Sequence, residues 1–225
     1  MPRETFASEL HDLEMQLAGM AGAVDQAIAN ALRALVDRDR ALAEQVIAQD
    51  LEINQREREI IERCLVLIAT QQPMAGDLRV ILSVYSIASE LERMGDHAEG
   101  VANISLRLME EPLLKPLIDI PRMAETAREM LKEQMQAFLQ RDVERARRAS
   151  SLDDLVDNLY DQVYRELLVY MMQDPGTIRR ATLLLWVAHN LERIADRTTN
   201  IGERVLFLVT GRVEELNPTP KKHER

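Results

Sequence analysis

The chain has 225 residues but only one Cys, eight Gly, eight Pro, and one Trp, four Tyr and three Phe. Each shortage excludes something. A lone Cys64 cannot close an internal disulfide, and an unpaired thiol fits a reducing compartment. So few aromatic residues argue against a β-sandwich, whose core would need them. The longest apolar run, 183–188, is far too short to span a bilayer. The opening Met1-Pro2-Arg3-Glu4-Thr5-Phe6 has no signal-type apolar stretch. The expectation is a cytoplasmic protein with no direct membrane insertion. Positive charge is also in deficit, with 28 Lys and Arg against 38 Asp and Glu, a net charge of −10. Phosphate neutralisation needs basic patches, so no nucleic-acid partner is expected.

Aliphatic residues fill the gap. Leu, Ala, Met, Glu and Arg are strong helix formers, and apolar residues recur at three-four spacing along most of the chain. Leu10, Leu13, Leu17, Met20, Val24, Ile28, Ala31 and Leu35 mark a first helix. Ala43, Val46, Ile53, Ile60, Cys64 and Ile68 mark a second, and Leu78, Ile81, Leu91, Met94, Ala98 and Leu108 a third. The pattern then starts again. Met123, Met130 and Phe138 mark a fourth helix, Val156, Leu159, Val163 and Leu167 a fifth, and Ile178, Leu184, Leu191, Ile194 and Val205 a sixth. Asp37-Arg38-Asp39 and Gln140-Arg141-Asp142 read as equivalent turns. Gln72-Pro73 and Asp174-Pro175-Gly176 read as equivalent breaks. The two copies align at an offset of about 103 residues in their first two helices and about 100 in the third. Short connections force antiparallel neighbours. The fold expected is all-α: two tandem three-helix bundles related by internal duplication, 1–111 and 112–225, the second ending in a short polar tail. Cys64, Tyr85 and Trp186 sit in apolar runs and are expected in the core.

The duplication repeats one acidic pattern. Leu91-Glu92-Arg93-Met94-Gly95-Asp96 returns as Leu191-Glu192-Arg193-Ile194-Ala195-Asp196. Glu92 with Asp96, and Glu192 with Asp196, are four residues apart and share a helix face. Asp50, Asn54 and Glu57 line the second helix, and Asp153, Asp157 and Asp161 the fifth. Facing stripes of this kind repel unless a cation intervenes, and carboxylate oxygens suit hard metal ions. A solvated acidic face is the plain alternative. A di-iron oxidase would need Glu-x-x-His on two helices, and none of His11, His97, His189 and His223 has Glu three residues before it. No Gly-rich phosphate loop, nucleophile elbow or Cys-x-x-Cys occurs. His97 beside Asp96 reads either as a ligand or as a polar neighbour.

Gln71-Gln72-Pro73-Met74-Ala75-Gly76-Asp77-Leu78-Arg79, followed by Leu91 to Ala98, resembles the signature of the PhoU family of bacterial phosphate-uptake regulators. The likeness runs from Phe6 to about Leu216. It implies a two-bundle α fold, a homodimer in many members, and a role that is not enzymatic. Members restrain the phosphate-starvation response, linking the phosphate ABC transporter and its ATPase to a sensor histidine kinase. Several hold iron or zinc clusters, or another divalent metal, on Glu/Asp-x-x-x-Asp motifs. The resemblance thus assigns metal to Glu92, Asp96, Glu192 and Asp196, with Asp50, Asp153, Asp157 and Asn200. Three positions depart from the pattern: Gly100 stands opposite Asn200, Arg197 opposite His97, and Asn54 opposite Asp157. The alternative reading is a metal-free helical scaffold with other partners.

Overall fold

The computed structural model describes residues 3–216. The polar tail beyond, with His223, lies outside them. Seven α-helices follow one another: α1 (Arg3–Asp37), α2 (Arg40–Gln71), α3 (Gly76–Leu108), α4 (Asp119–Gln140), α5 (Val143–Ser150), α6 (Asp153–Gln173) and α7 (Ile178–Thr210). A 3-10 turn, Pro175–Thr177, precedes α7. Among the described residues there is no strand, and no helix is long and apolar enough to cross a membrane.

The turns repeat as the sequence does. Arg38 and Arg141 both take the left-handed backbone conformation, at φ 57° and 59°. Asp39 and Asp142 then cap the next helix, accepting from the amides of Leu42 and Arg145. Gln72, also left-handed, ends α2 before Pro73. Asp174 accepts from the Gly176 amide before α7.

One expected helix is divided. The fifth breaks at Ser151–Leu152 into α5 and α6, and the cause lies in the core. Gln134 is fully buried, and its amide nitrogen donates to the Ala146 carbonyl at 3.0 Å and the Ser150 hydroxyl at 2.9 Å. The helix tightens beyond, with Leu152 and Leu155 each bonding a carbonyl three residues back. A Cβ at Gly202 would come within 2.6 Å of the Gln134 amide nitrogen, so only glycine leaves it room. The first half carries Ala31, Ala43, Ile47 and Ala102 at the equivalent positions, all non-polar, and α2 runs through unbroken.

The two bundles share one core. A single cluster of buried residues runs from Leu13 in α1 to Leu208 in α7. The halves meet where α3 packs on α7 and α1 on α4. Asp25 and Arg128, 103 residues apart and therefore equivalent, form a two-toothed ion pair at 2.7 and 2.9 Å. Equivalent residues touching is the mark of a pseudo-twofold axis. Along α3 and α7 the contacts are reciprocal: Arg79 donates to the Leu208 carbonyl at the end of α7, while Arg179 and Arg180 bind Glu111 just after α3.

Cys64 is buried as expected, its thiol against the Ile81 carbonyl, and burial pushes its pKa up to about 12. Tyr85 and Trp186 are not core. Trp186 is 55% exposed and Tyr85 42%. Helix α7 contacts α3, α4, α5 and α6, so its apolar arc is wide, and Trp186 stands at the rim of that arc.

Candidate functional site

The acidic stripes face one another in pairs, α2 against α3 and α6 against α7. In the first pair, Asp50 is only 8% exposed. Burial raises its carboxyl pKa, the nearby charges of Asp96 and Glu99 raise it further, and the Asn54 amide, donating to Oδ2 at 2.9 Å, opposes them. Its Oδ1 is buried with no hydrogen-bond partner. Glu92 is half-buried and raised by burial, then by Asp96, Glu57 and Asp50, with Arg93 pulling the other way.

The second pair repeats the arrangement with higher stakes. Asp153, the counterpart of Asp50, is buried. Glu192 is pushed up to about 7, by burial first, then by Asp196, Asp157 and Asp153, against the opposing charge of Arg193. Asp157 is more exposed than these. Its carboxyl is also raised, by partial desolvation and then by Asp196, Asp154 and Asp161, but solvent screening makes this the weakest case. Asp196 is partnered by Arg193 at 2.8 Å.

The helices come close because small side chains stand between them. A Cβ at Gly95 would meet Ile53 at 3.1 Å and the Asp50 Oδ1 at 3.3 Å. The second half has Ala195 at that place, and Val156 where the first has Ile53. A methyl group has moved from one helix to its neighbour.

Asn200 is held elsewhere. Its amide donates to Glu90 at 3.1 Å, on α3, and Arg197 pairs with the same carboxylate at 3.3 Å. The reciprocal contact joins His97 Nδ1 to the Asn190 Oδ1 at 2.9 Å. A Cβ at Gly100 would stand 3.1 Å from that oxygen. The departures at Gly100 and Arg197 thus belong to a polar clasp between α3 and α7. Arg197 is drawn away from Asp196 by Glu90, and Gly100 makes room for Asn190. The His97 pKa is lowered, chiefly by burial, with Arg197 and Arg193 adding to the effect. The signal for this clasp was present in the mismatched positions of the repeat, but it became readable only once α7 lay against α3.

The donors are of the type hard cations prefer, and Asp50 offers a buried oxygen without a partner. Their spacing is another matter. Among the described residues no three His, Cys, Asp or Glu side chains converge closely enough to hold one ion.

The family model described as "PhoU domain" matches residues 17–105 and again 120–205. The phosphate-specific transport system accessory protein PhoU homolog of Aquifex aeolicus is 42% identical over 216 residues, covering 96% of this chain and 98% of that one. The homolog of the same description in Pseudomonas aeruginosa is 37% identical, covering 98% and 92%. The crystal structure of PhoU from Pseudomonas aeruginosa superposes with a TM-score of 0.88 at 38% identity, covering 92% of this chain and all of that one. The phosphate transport system regulatory protein PhoU from Streptococcus pneumoniae gives 0.86 at 34% identity, covering 93% and 99%. With the family's domain matched twice, and relatives alike over nearly their whole length, the chain belongs to the PhoU family.

Proposed function

We propose that this protein is an accessory component of phosphate transport that restrains the phosphate-starvation response, acting by contact with the transporter ATPase and a sensor histidine kinase. The observation that carries the reading is the match of both halves, over almost the full chain, to proteins named as phosphate-transport accessory proteins. The chemistry of the chain supports contact over catalysis. Its one thiol is buried and pushed far from ionisation, and the raised carboxyls stand among other acids. Deleting the gene should raise starvation-gene expression in phosphate-rich medium. Unchanged expression would sink the reading in favour of a helical scaffold with other partners.

The acidic helix pairs support a second element of the proposal, uptake of iron, zinc or another divalent metal. Carboxyls raised by burial and then by one another's charge gain from an intervening cation, and Asp50 has an oxygen to give. Asp50, Glu92 and Asp96 would serve one pair, and Asp153, Asp157, Glu192 and Asp196 the other. Because the side chains do not converge as they stand, the affinity expected is modest. The double change Glu92→Gln with Asp96→Asn should lower metal content by elemental analysis and leave helicity intact. Metal-free protein after challenge with iron, zinc, manganese and magnesium would mark the stripes as solvated or partner-facing.

A further inference from the structure

We propose that the exposed α6–α7 face of the second half is a docking site for a basic segment of a partner protein, with an Arg or Lys side chain entering beside Trp186 and Tyr160. This deepens the accessory-protein reading by naming a surface and the chemistry of its partner, and rests on it only for the existence of a partner.

The two halves differ sharply here while agreeing in architecture. In the first half, Ser89 on α3 donates to Glu57 on α2 at 2.8 Å. This local bond satisfies the surface, and Ser86 stands three residues before Ser89. At the equivalent place the second half has His189, Tyr160 and Trp186. The Trp186 and His189 rings meet edge to face with centroids 5.6 Å apart, and Tyr160 tilts toward His189 at 6.3 Å. With Leu185 they line a cleft of about 200 Å³. Tyr164, one turn beyond Tyr160 on the same face of α6, is 42% exposed and extends the stripe.

A chain with one Trp and four Tyr has thus placed three of these five rings on one small face. Among the described residues Trp186 is left 55% exposed. Large aromatic side chains left in water gain by burial in a partner, and Trp and Tyr are enriched where partners bind. The charge around the rings identifies the partner. Glu192 and Asp161 bear on the Tyr160 hydroxyl. One Glu192 oxygen is buried without a hydrogen-bond partner, the His189 ring nitrogen stands 3.4 Å from it, and the Arg193 charge also bears on this carboxyl. Aromatic faces attract cations, the exposed Asp161 carboxylate adds to the attraction, and an entering cation would favour the charged form of Glu192. An anionic partner, whether nucleic acid or acidic lipid, would meet the same charges as repulsion, on a chain of net charge −10.

Trp186 is the only Trp of the chain, so its fluorescence reports this site alone. The probe is a short peptide of alternating leucine and arginine, titrated into the full chain beside its glutamate counterpart. The arginine peptide should bind saturably and change Trp186 fluorescence. By calorimetry, Tyr160→Ala and Trp186→Ser should each weaken it by about 5-fold or more, within the range of one cation–π contact. Tyr160→Phe keeps a ring and should retain binding, which separates lost recognition from lost folding. Ser86→Ala, at the equivalent place in the first half, should bind as the unaltered chain does. Equal binding of the glutamate peptide would overturn the proposal. So would equal binding by Tyr160→Ala and the unaltered chain, or shielding of Trp186 by self-association with no peptide bound. A gene deletion without phenotype, with peptide binding intact, would overturn the phosphate reading and leave this surface standing. The reverse result would remove the surface alone.

Discussion

A single methyl group shows how closely the two acidic helices are fitted. Gly95 sits in mid-helix, where alanine would favour the helix by about 1 kcal/mol, yet a Cβ there meets Ile53 at 3.1 Å. Gly95→Ala alone should therefore bring little or no stability. Paired with Ile53→Val, the combination found in the second half, it should show a favourable coupling of about 0.5–1 kcal/mol. Denaturant melts of the four chains in that cycle give the number, and additivity would show that the swap is unrelated to packing. A second residue-level expectation concerns Glu192, whose carboxyl is raised from 4.5 to about 7. The folded chain then holds a proton that the unfolded chain releases. Stability from this group is present below the lower value and is lost as pH rises through the upper one. Its neighbours are Asp196, Arg193 and His189 on its own helix and Asp153, Asp157 and Tyr160 on α6. Glu192→Gln should lose less stability than the unaltered chain between about pH 5 and pH 8, by about 2–4 °C in melting temperature if ~1 kcal/mol is at stake. Parallel curves would mean that the carboxylate is already neutralised by something else.

Among the elements, α3 and α7 carry the joint between the halves. Glu90 is half-buried and has two partners across it, Arg197 and Asn200. Arg197→Ala should cost about 1–3 kcal/mol, because a poorly hydrated carboxylate loses its countercharge. Adding Glu90→Asn, with His at 197 and Gly at 200, would copy the Asn190, His97 and Gly100 arm. That copy should recover most of the loss in thermal melts, and failure to recover would show that the two arms are not interchangeable. This joint also marks how far the sequence could be read. Element order, the twin turns at Arg38 and Arg141 and the facing of Asp50 toward Asp96 all follow from periodicity within one half, where neighbours are close in the chain. The direction of Arg197 does not, since Glu90 reaches it only through a packing between halves that no local pattern encodes. The break after Ser150 was hidden for the same reason: Gln134, which causes it, reads as one polar residue on an otherwise apolar stripe. Trp186 was misplaced because a helix packed against four others shows a broad apolar arc with no sharp edge.

At the scale of the whole molecule, the shared core means that neither half is closed without the other. Residues 1–111 alone would leave bare the faces of α1 and α3 that rest on α4 and α7. That piece is expected to associate or aggregate alone, and to give a soluble one-to-one complex when produced with residues 112–225, as judged by size-exclusion chromatography with light scattering. A stable monomeric half would contradict the single core. The Asp25–Arg128 pair adds a rule about which half may pair with which. On an axis relating identical halves, this position would meet its own copy, Asp against Asp or Arg against Arg. The attraction exists only because the copies have ceased to be the same. Each half therefore discriminates against its twin and accepts its counterpart, and sequence divergence itself has become part of what holds the chain together.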